Sequence, residues 1–145
     1  MRAFSELFEN LDTTTSTNEK LAALTRYFRT APAADAAWAA YFLSGRRLKR
    51  LVGSATLRNW LLRESGLPEW LLEETYAEVG DLAETIALLI DAADDEMPVD
   101  VPLVQWIGRL LDLQDLAEEE QRQSVVRWWR ELDARGRFLL NKLLT

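Results

Sequence analysis

The sequence contains no cysteine and no histidine. Without cysteine the chain has no disulfide bond, no thiolate metal site and no thiol nucleophile. Without histidine it lacks the most frequent general base and the most frequent metal ligand of proteins. The six glycines are isolated and match neither GxGxxG nor GxxxxGK[ST], the patterns of nucleotide-binding loops. These absences argue against an enzyme with a cysteine nucleophile or a histidine base, and against a protein with a glycine-rich nucleotide-binding loop.

The carboxylates form no catalytic or metal-binding pair that could take the place of histidine and cysteine. Glu73 and Glu74, like Asp94 and Asp95, are sequence neighbours, and adjacent residues on a helix do not face one another. We therefore predict no catalytic residue and no metal ligand. No apolar run approaches the roughly 18 residues of a membrane span, and the N-terminus lacks the apolar region of a signal peptide. We expect a cytoplasmic protein without a membrane partner.

Patterns typical of β-strands are nearly absent, whereas helix signals fill the chain. We predict an all-α fold, a compact orthogonal array of about eight to ten short helices. Ser16 and Asp81 are predicted to cap helices through capping boxes with Glu19 and Glu84. Ser54 is a third predicted cap. The predicted helices cover residues 3–10, 16–30, 32–44, 48–52, 54–64, 68–79, 81–92, 103–113, 117–132 and 137–145.

An acidic, proline-containing loop over residues 94–101 is the clearest break in the chain. We expect one domain over residues 1–145, in which this loop joins helical groups 1–93 and 102–145. The six tryptophans mostly fall on apolar helix faces and are expected in the core. Trp128 and Trp129 are adjacent, so one of them is expected to be partly exposed.

A short basic segment stands out because the chain as a whole carries a net charge of −7. From residue 36 to residue 63 there are six arginines or lysines and no acidic residue. Leu48, Leu51 and Val52 have helical spacing, which would turn the neighbouring cations outward. Two interpretations remain open, a solvated turn between helices or a contact with a polyanion such as the phosphate backbone of a nucleic acid. The cations of the segment are Arg46, Arg47, Lys49 and Arg50.

Four stretches of the chain resemble the N-terminal DNA-binding domain of bacterial ATP-dependent DNA ligases. They are FENLDTTTSTNEK at 8–20, YFLSGRRLKRLV at 41–52, EVGDLAET at 78–85 and RFLLNKLLT at 137–145. The resemblance implies a domain that grips nicked double-stranded DNA over the minor groove, mainly through phosphates and without reading sequence. The DNA-binding residues that we expect on this basis are Arg46, Arg47, Lys49, Arg50, Thr15, Ser16, Thr17, Lys20, Gly80 and Lys142.

The resemblance also implies a parent enzyme that uses ATP and Mg²⁺ to seal nicks through a lysyl-AMP intermediate, in DNA repair, replication or recombination. The family's Lys-x-Asp-Gly adenylation motif is missing, because none of Lys20, Lys49 and Lys142 begins it. We therefore expect a truncated fragment that binds no cofactor, has the catalytic domain of its parent chain as a partner, and does not ligate DNA alone. The alternative is a helical protein–protein interaction module whose basic segment meets an acidic partner.

Overall fold

The computed structural model describes residues 1–90 and 99–145, and within them every regular element is helical. The predicted all-α fold is confirmed. None of the described helices has both the length and the hydropathy needed to cross a membrane. The helices are α1 (Arg2–Thr13), α2 (Thr17–Thr30), α3 (Ala33–Leu43), α4 (Ser54–Ser65), α5 (Glu69–Val79), α6 (Leu82–Leu89), α7 (Leu103–Asp112), α8 (Glu118–Glu131) and α9 (Ala134–Leu144), with a 3₁₀ turn at Leu113–Asp115 after α7.

The described chain forms two compact units, and the first contains α1, α2, α3 and most of α7. Phe4 of α1 is buried against an aromatic cluster, with its ring centroid 5.9 Å from that of Tyr27 and 6.3 Å from that of Phe42. Burying rings of this size supplies much of the hydrophobic stabilisation of a small core. The carboxylate of Asp35, on α3, accepts hydrogen bonds from two amides of the first turn of α7.

The second unit contains α4, α5, α6, α8 and α9, and its most extensive helix–helix packing joins α6 to α9. Ile86 of α6 and Leu140 of α9 are fully buried, as is Trp129 of α8. The indole nitrogen of Trp129 donates to Oδ1 of Asn141 at 2.9 Å, which satisfies the one polar atom of this side chain. Helical spacing of apolar residues therefore builds this core as predicted.

These units do not coincide with the two predicted helical groups. Among the described residues, the first unit comprises 1–47 and 99–111, and the second comprises 48–90 and 112–145. α7 belongs with the first helices because Asp35 binds its first turn, a contact that no local sequence pattern indicates. Residues 94–98 of the predicted acidic loop lie outside the described residues, and the assignment of 1–145 to one domain stays a prediction.

The helix predicted over residues 48–52 is wrong. Gly45 adopts a φ of +84°, which ends α3, and residues 46–53 that follow are not helical. The amides of Leu51 and Val52 donate instead to the carbonyl oxygen of Leu144, at 3.0 and 3.1 Å. The apolar spacing reflects burial of Val52 rather than a helical face.

The predictions about tryptophan burial are also wrong in part. Trp70, predicted in the core, is 65% exposed, and Trp128 and Trp129 are both buried, so neither is the expected exposed member of the pair. The apolar side chains of Leu21 and Phe28 on α2 are exposed as well, and Tyr27 is the buried residue of this helix. α2 and α5 therefore leave apolar side chains uncovered, whereas α8 buries both of its adjacent tryptophans, and the sequence of a single helix cannot reveal which sides are covered.

The predicted helix caps hold in part. Ser16 and Asp81 each accept a hydrogen bond from the amide three residues later, but the reciprocal bonds from Glu19 and Glu84 do not form among the described residues. Ser54 is not a cap, because Gly53 occupies that position and Ser54 is the first helical residue. α1 extends to Thr13, beyond the predicted end at residue 10.

Candidate nucleic-acid interface

The basic segment 46–50 is solvent-exposed at all four of its cations, as the sequence predicts. The guanidinium of Arg46 lies over the ring of Tyr41, 5.7 Å from its centroid, and the Tyr41 hydroxyl donates to the carbonyl of Arg47 at 3.2 Å. These contacts fix the start of the segment on the last turn of α3. Within residues 1–90 and 99–145, none of its four cations forms an ion pair.

Many cations of the second unit, by contrast, are held by carboxylates. Arg58 binds Glu73, Arg130 binds Glu64, and Arg122 binds Glu119 at 2.6 Å. The hydrogen bond from Arg122 lowers the pKa of the exposed Glu119 carboxyl to about 2. The free cations of the basic segment are thus available to an external anion, whereas the paired arginines would first have to leave a carboxylate.

The α1–α2 junction brings together Thr15, Ser16, Thr17 and Lys20. Thr15 and Thr17 are exposed, and their side chains form no hydrogen bond to another described residue. Ser16 is already used, because its hydroxyl oxygen accepts from the amide of Glu19 at 3.4 Å. The junction therefore presents two free hydroxyls beside the positive end of the α2 dipole, and Lys20 lies one turn further on.

Asp81, which the sequence indicates only as a helix cap, lies next to two predicted site residues, Gly80 and Lys142, at the start of α6. The ammonium of Lys142 binds the carboxylate of Asp81, and Gly80 precedes this aspartate. Burial alone would raise the pKa of Asp81, but hydrogen bonds from Lys142 and from the Glu84 amide lower it below its usual value. The Gly80 amide donates to the Tyr76 carbonyl at 2.8 Å, so it closes α5 and is not free.

A cavity of about 90 Å³ lies beside this ion pair. Its lining includes Asp81, Lys142 and the buried side chain of Asn141. Because the Trp129 indole can only donate, Oδ1 of Asn141 is its acceptor, and Nδ2 is then left without a partner among the described residues. The cavity thus combines one cation, one carboxylate and one unused amide donor.

Sequence reasoning missed two cations of α2. Arg26 and Arg29 are exposed, lie one turn apart, and form no ion pair with the described part of the chain. Their spacing was the available signal, because residues three apart share a helix face. Two separated arginines are a weaker compositional signal than the dense cluster at 46–50.

The described residues include no group of three or more acidic side chains that could hold a metal ion.

The described residues form an all-helical module with an exposed basic segment. The sequence matches the family model described as DNA ligase N terminus over residues 1–145, and the chain belongs to this family, the N-terminal domain of ATP-dependent DNA ligases. A comparison with curated proteins finds no match to the sequence.

Proposed function

We propose that this chain is the DNA-binding part of an ATP-dependent DNA ligase. It grips duplex DNA that contains a nick, through backbone phosphates over the minor groove and without reading sequence. The observation that carries the proposal is the basic segment 46–50, whose four cations are exposed and unpaired among the described residues of an acidic chain. Arginine and lysine side chains at phosphates position a protein on DNA but carry no sequence information.

The other proposed contacts are secondary to this segment. The free hydroxyls of Thr15 and Thr17, together with Lys20, suit a phosphate near the start of α2. Ser16 contributes by holding that helix end in place. At the start of α6, a phosphate must compete with Asp81 for Lys142, and Gly80 acts through the turn that it closes.

Ligation itself is assigned to the catalytic domain of the parent chain, the second proposed partner. None of the three lysines of this sequence begins a Lys-x-Asp-Gly motif. We therefore propose that ATP and Mg²⁺ are used by that catalytic domain and that this chain alone does not seal a nick. The proposed setting is DNA repair, replication or recombination at the nucleoid of the cytoplasm.

The test is a fluorescence anisotropy titration of a labelled nicked duplex at several salt concentrations. If the four cations of the segment each neutralise one phosphate, the slope of log K against log salt is about −3.6. The double variant Arg46→Gln/Arg47→Gln should make this slope less steep by about 1.8. A scrambled duplex of equal length should bind equally well.

A matched control removes the same charge elsewhere. Arg127→Gln/Arg130→Gln replaces two exposed arginines that are paired with Glu131 and Glu64. This control should keep the slope of the unchanged protein. If the nicked duplex does not bind at low salt, or if both double variants change the slope equally, the basic segment is not the DNA contact.

The alternative, a helical adaptor for an acidic protein partner, rests on the same segment. The two functions differ in the ligand that the segment prefers. Binding of an oligoglutamate peptide that exceeds binding of the nicked duplex at equal salt would favour the adaptor.

A further inference from the structure

The outward face of α5 carries an exposed tryptophan among carboxylates. Trp70 is 65% exposed, the most exposed aromatic side chain of the described residues. α5 contains four glutamates and no basic residue. Exposed surface of this size on a tryptophan is unusual, since these rings supply large apolar areas to cores and interfaces.

Helical spacing places the carboxylates around the indole. Glu73 and Glu74 follow Trp70 by three and four residues, so they lie one turn along the same face, and Glu78 follows one turn later. Ala77, also exposed, lies between them and is too small to cover the ring. The result is an uncovered aromatic surface bordered by negative charge.

The members of this face have few partners of their own. Trp70 makes no ring contact with the rest of the described chain, and Glu74 and Glu78 form no ion pair there. Glu73 forms an ion pair with Arg58 of α4. The face therefore retains at least two unneutralised carboxylates beside a free indole.

We propose that this face, Trp70 with Glu73, Glu74 and Glu78, docks an arginine-rich segment of a partner protein. A guanidinium stacks on the indole through a cation–π contact, which contributes about 0.5–2 kcal/mol depending on desolvation. Neighbouring arginines pair with Glu74 and Glu78, and arginine suits both contacts because its planar group stacks and binds carboxylates bidentately. The clustered carboxylates repel phosphate, so this surface is chemically opposite to a nucleic-acid site.

The proposal does not depend on DNA binding, because it uses no residue of the basic segment. The test uses the whole chain, labelled with ¹⁵N, and an eight-residue oligoarginine peptide. Six indole signals are expected, one for each tryptophan, and the signal lost in Trp70→Leu identifies Trp70. We expect the Trp70 signal to shift saturably with peptide while the buried indoles move little.

Variants separate a specific site from general attraction to an acidic protein. Trp70→Leu keeps the net charge and should weaken peptide binding about fivefold, which corresponds to roughly 1 kcal/mol. Glu74→Gln/Glu78→Gln should weaken it more than Asp115→Asn/Glu118→Gln, a control with the same change in charge. Circular dichroism checks that each variant keeps its helix content.

Three outcomes overturn the proposal. In the first, the Trp70 signal does not shift with peptide. In the second, Trp70→Leu binds the peptide as tightly as the unchanged chain. In the third, Glu74→Gln/Glu78→Gln and Asp115→Asn/Glu118→Gln weaken binding equally. A fourth outcome overturns it in favour of a second copy of this chain as the occupant. In that case the Trp70 signal shifts with protein concentration alone, and Arg46→Gln/Arg47→Gln abolishes the shift.

Discussion

The carboxylate of Asp35 lies 3.1 Å from the backbone nitrogen of Leu103, which follows it by 68 residues. The other carboxylate oxygen accepts from the amide of Val104 at 2.9 Å. Asp35 thus caps the first turn of α7 from a different helix and places a negative charge at the positive end of its dipole. The Leu103 side chain beside it is fully buried.

We expect Asp35→Ala to lower the free energy of unfolding by about 2 kcal/mol, because it leaves two amides of the first turn of α7, one of them buried, without an acceptor. Asp35→Asn should cost less, since its amide oxygen still accepts one of the two bonds. Urea denaturation followed by circular dichroism measures both. Asp12→Ala, an exposed change near the end of α1, is the control, and an equal loss in the control would contradict the capping role.

Burial and the nearby charge of Asp35 raise the pKa of Tyr27 to about 12. In the unfolded chain a tyrosine ionises near about pH 10, so the unfolded state binds fewer protons between pH 10 and 12. Stability should therefore fall as the pH rises through this window. Thermal unfolding at a series of alkaline pH values should show the fall, and Tyr27→Phe should reduce it. A fall that is the same in Tyr27→Phe would assign it to other groups.

If the chain binds DNA as proposed, Asp81 should weaken this binding, because it pairs with Lys142 and adds a negative charge at the start of α6. Asp81→Asn keeps the N-cap, since asparagine is as good a cap as aspartate. We expect this variant to bind the nicked duplex several-fold more tightly, with a salt slope steeper by about 0.9. The measurement is fluorescence anisotropy at two or more salt concentrations.

Glu118→Gln provides the charge-matched comparison, because Glu118 has no ion pair among the described residues and lies at the start of α8. It should leave the salt slope unchanged. If Asp81→Asn and Glu118→Gln raise the affinity equally, Lys142 does not reach a phosphate and the gain reflects net charge alone.

Two helical glycines should respond oppositely to alanine. At Gly108 of α7 an added Cβ would meet nothing within 4 Å, so Gly108→Ala should stabilise the chain by up to about 1 kcal/mol through helix propensity. At Gly136 of α9 the Cβ would lie 2.9 Å from Cδ2 of Leu132 and 3.1 Å from the capping oxygen of Asp133. Gly136→Ala should therefore destabilise it, as differential scanning calorimetry would show. Equal shifts in melting temperature would refute this contrast.

Local features of the fold were predictable because their causes lie within one helical turn. Ser16 and Asp81 cap helices through the amide three residues ahead, and Gly66 and Gly80 end helices with a positive φ. These rules need only the neighbouring sequence. The long-range pairs were not predictable, because Asp35 finds α7 and Lys142 finds Asp81 only after the chain has folded.

Some features of the candidate site were likewise predictable from the sequence and others were not. The exposure of Arg46 and Arg47 was predicted from a helix that does not form, and it holds because a run of cations is rarely buried in any backbone conformation. The non-helical backbone of the segment was not predicted, because Val52 has helical spacing but packs beside the end of α9. The exposure of Trp70 was also beyond the sequence, since it depends on which side of α5 the rest of the unit covers.

The Leu144 carbonyl binds the amides of Leu51 and Val52, directly after Arg50. This forked hydrogen bond makes the end of α9 an anchor for the chain that leaves the basic segment. The backbone that follows Arg50 is therefore held by hydrogen bonds to a packed helix. Because of these two hydrogen bonds, the backbone position of Arg50 depends on the position of the last turn of α9.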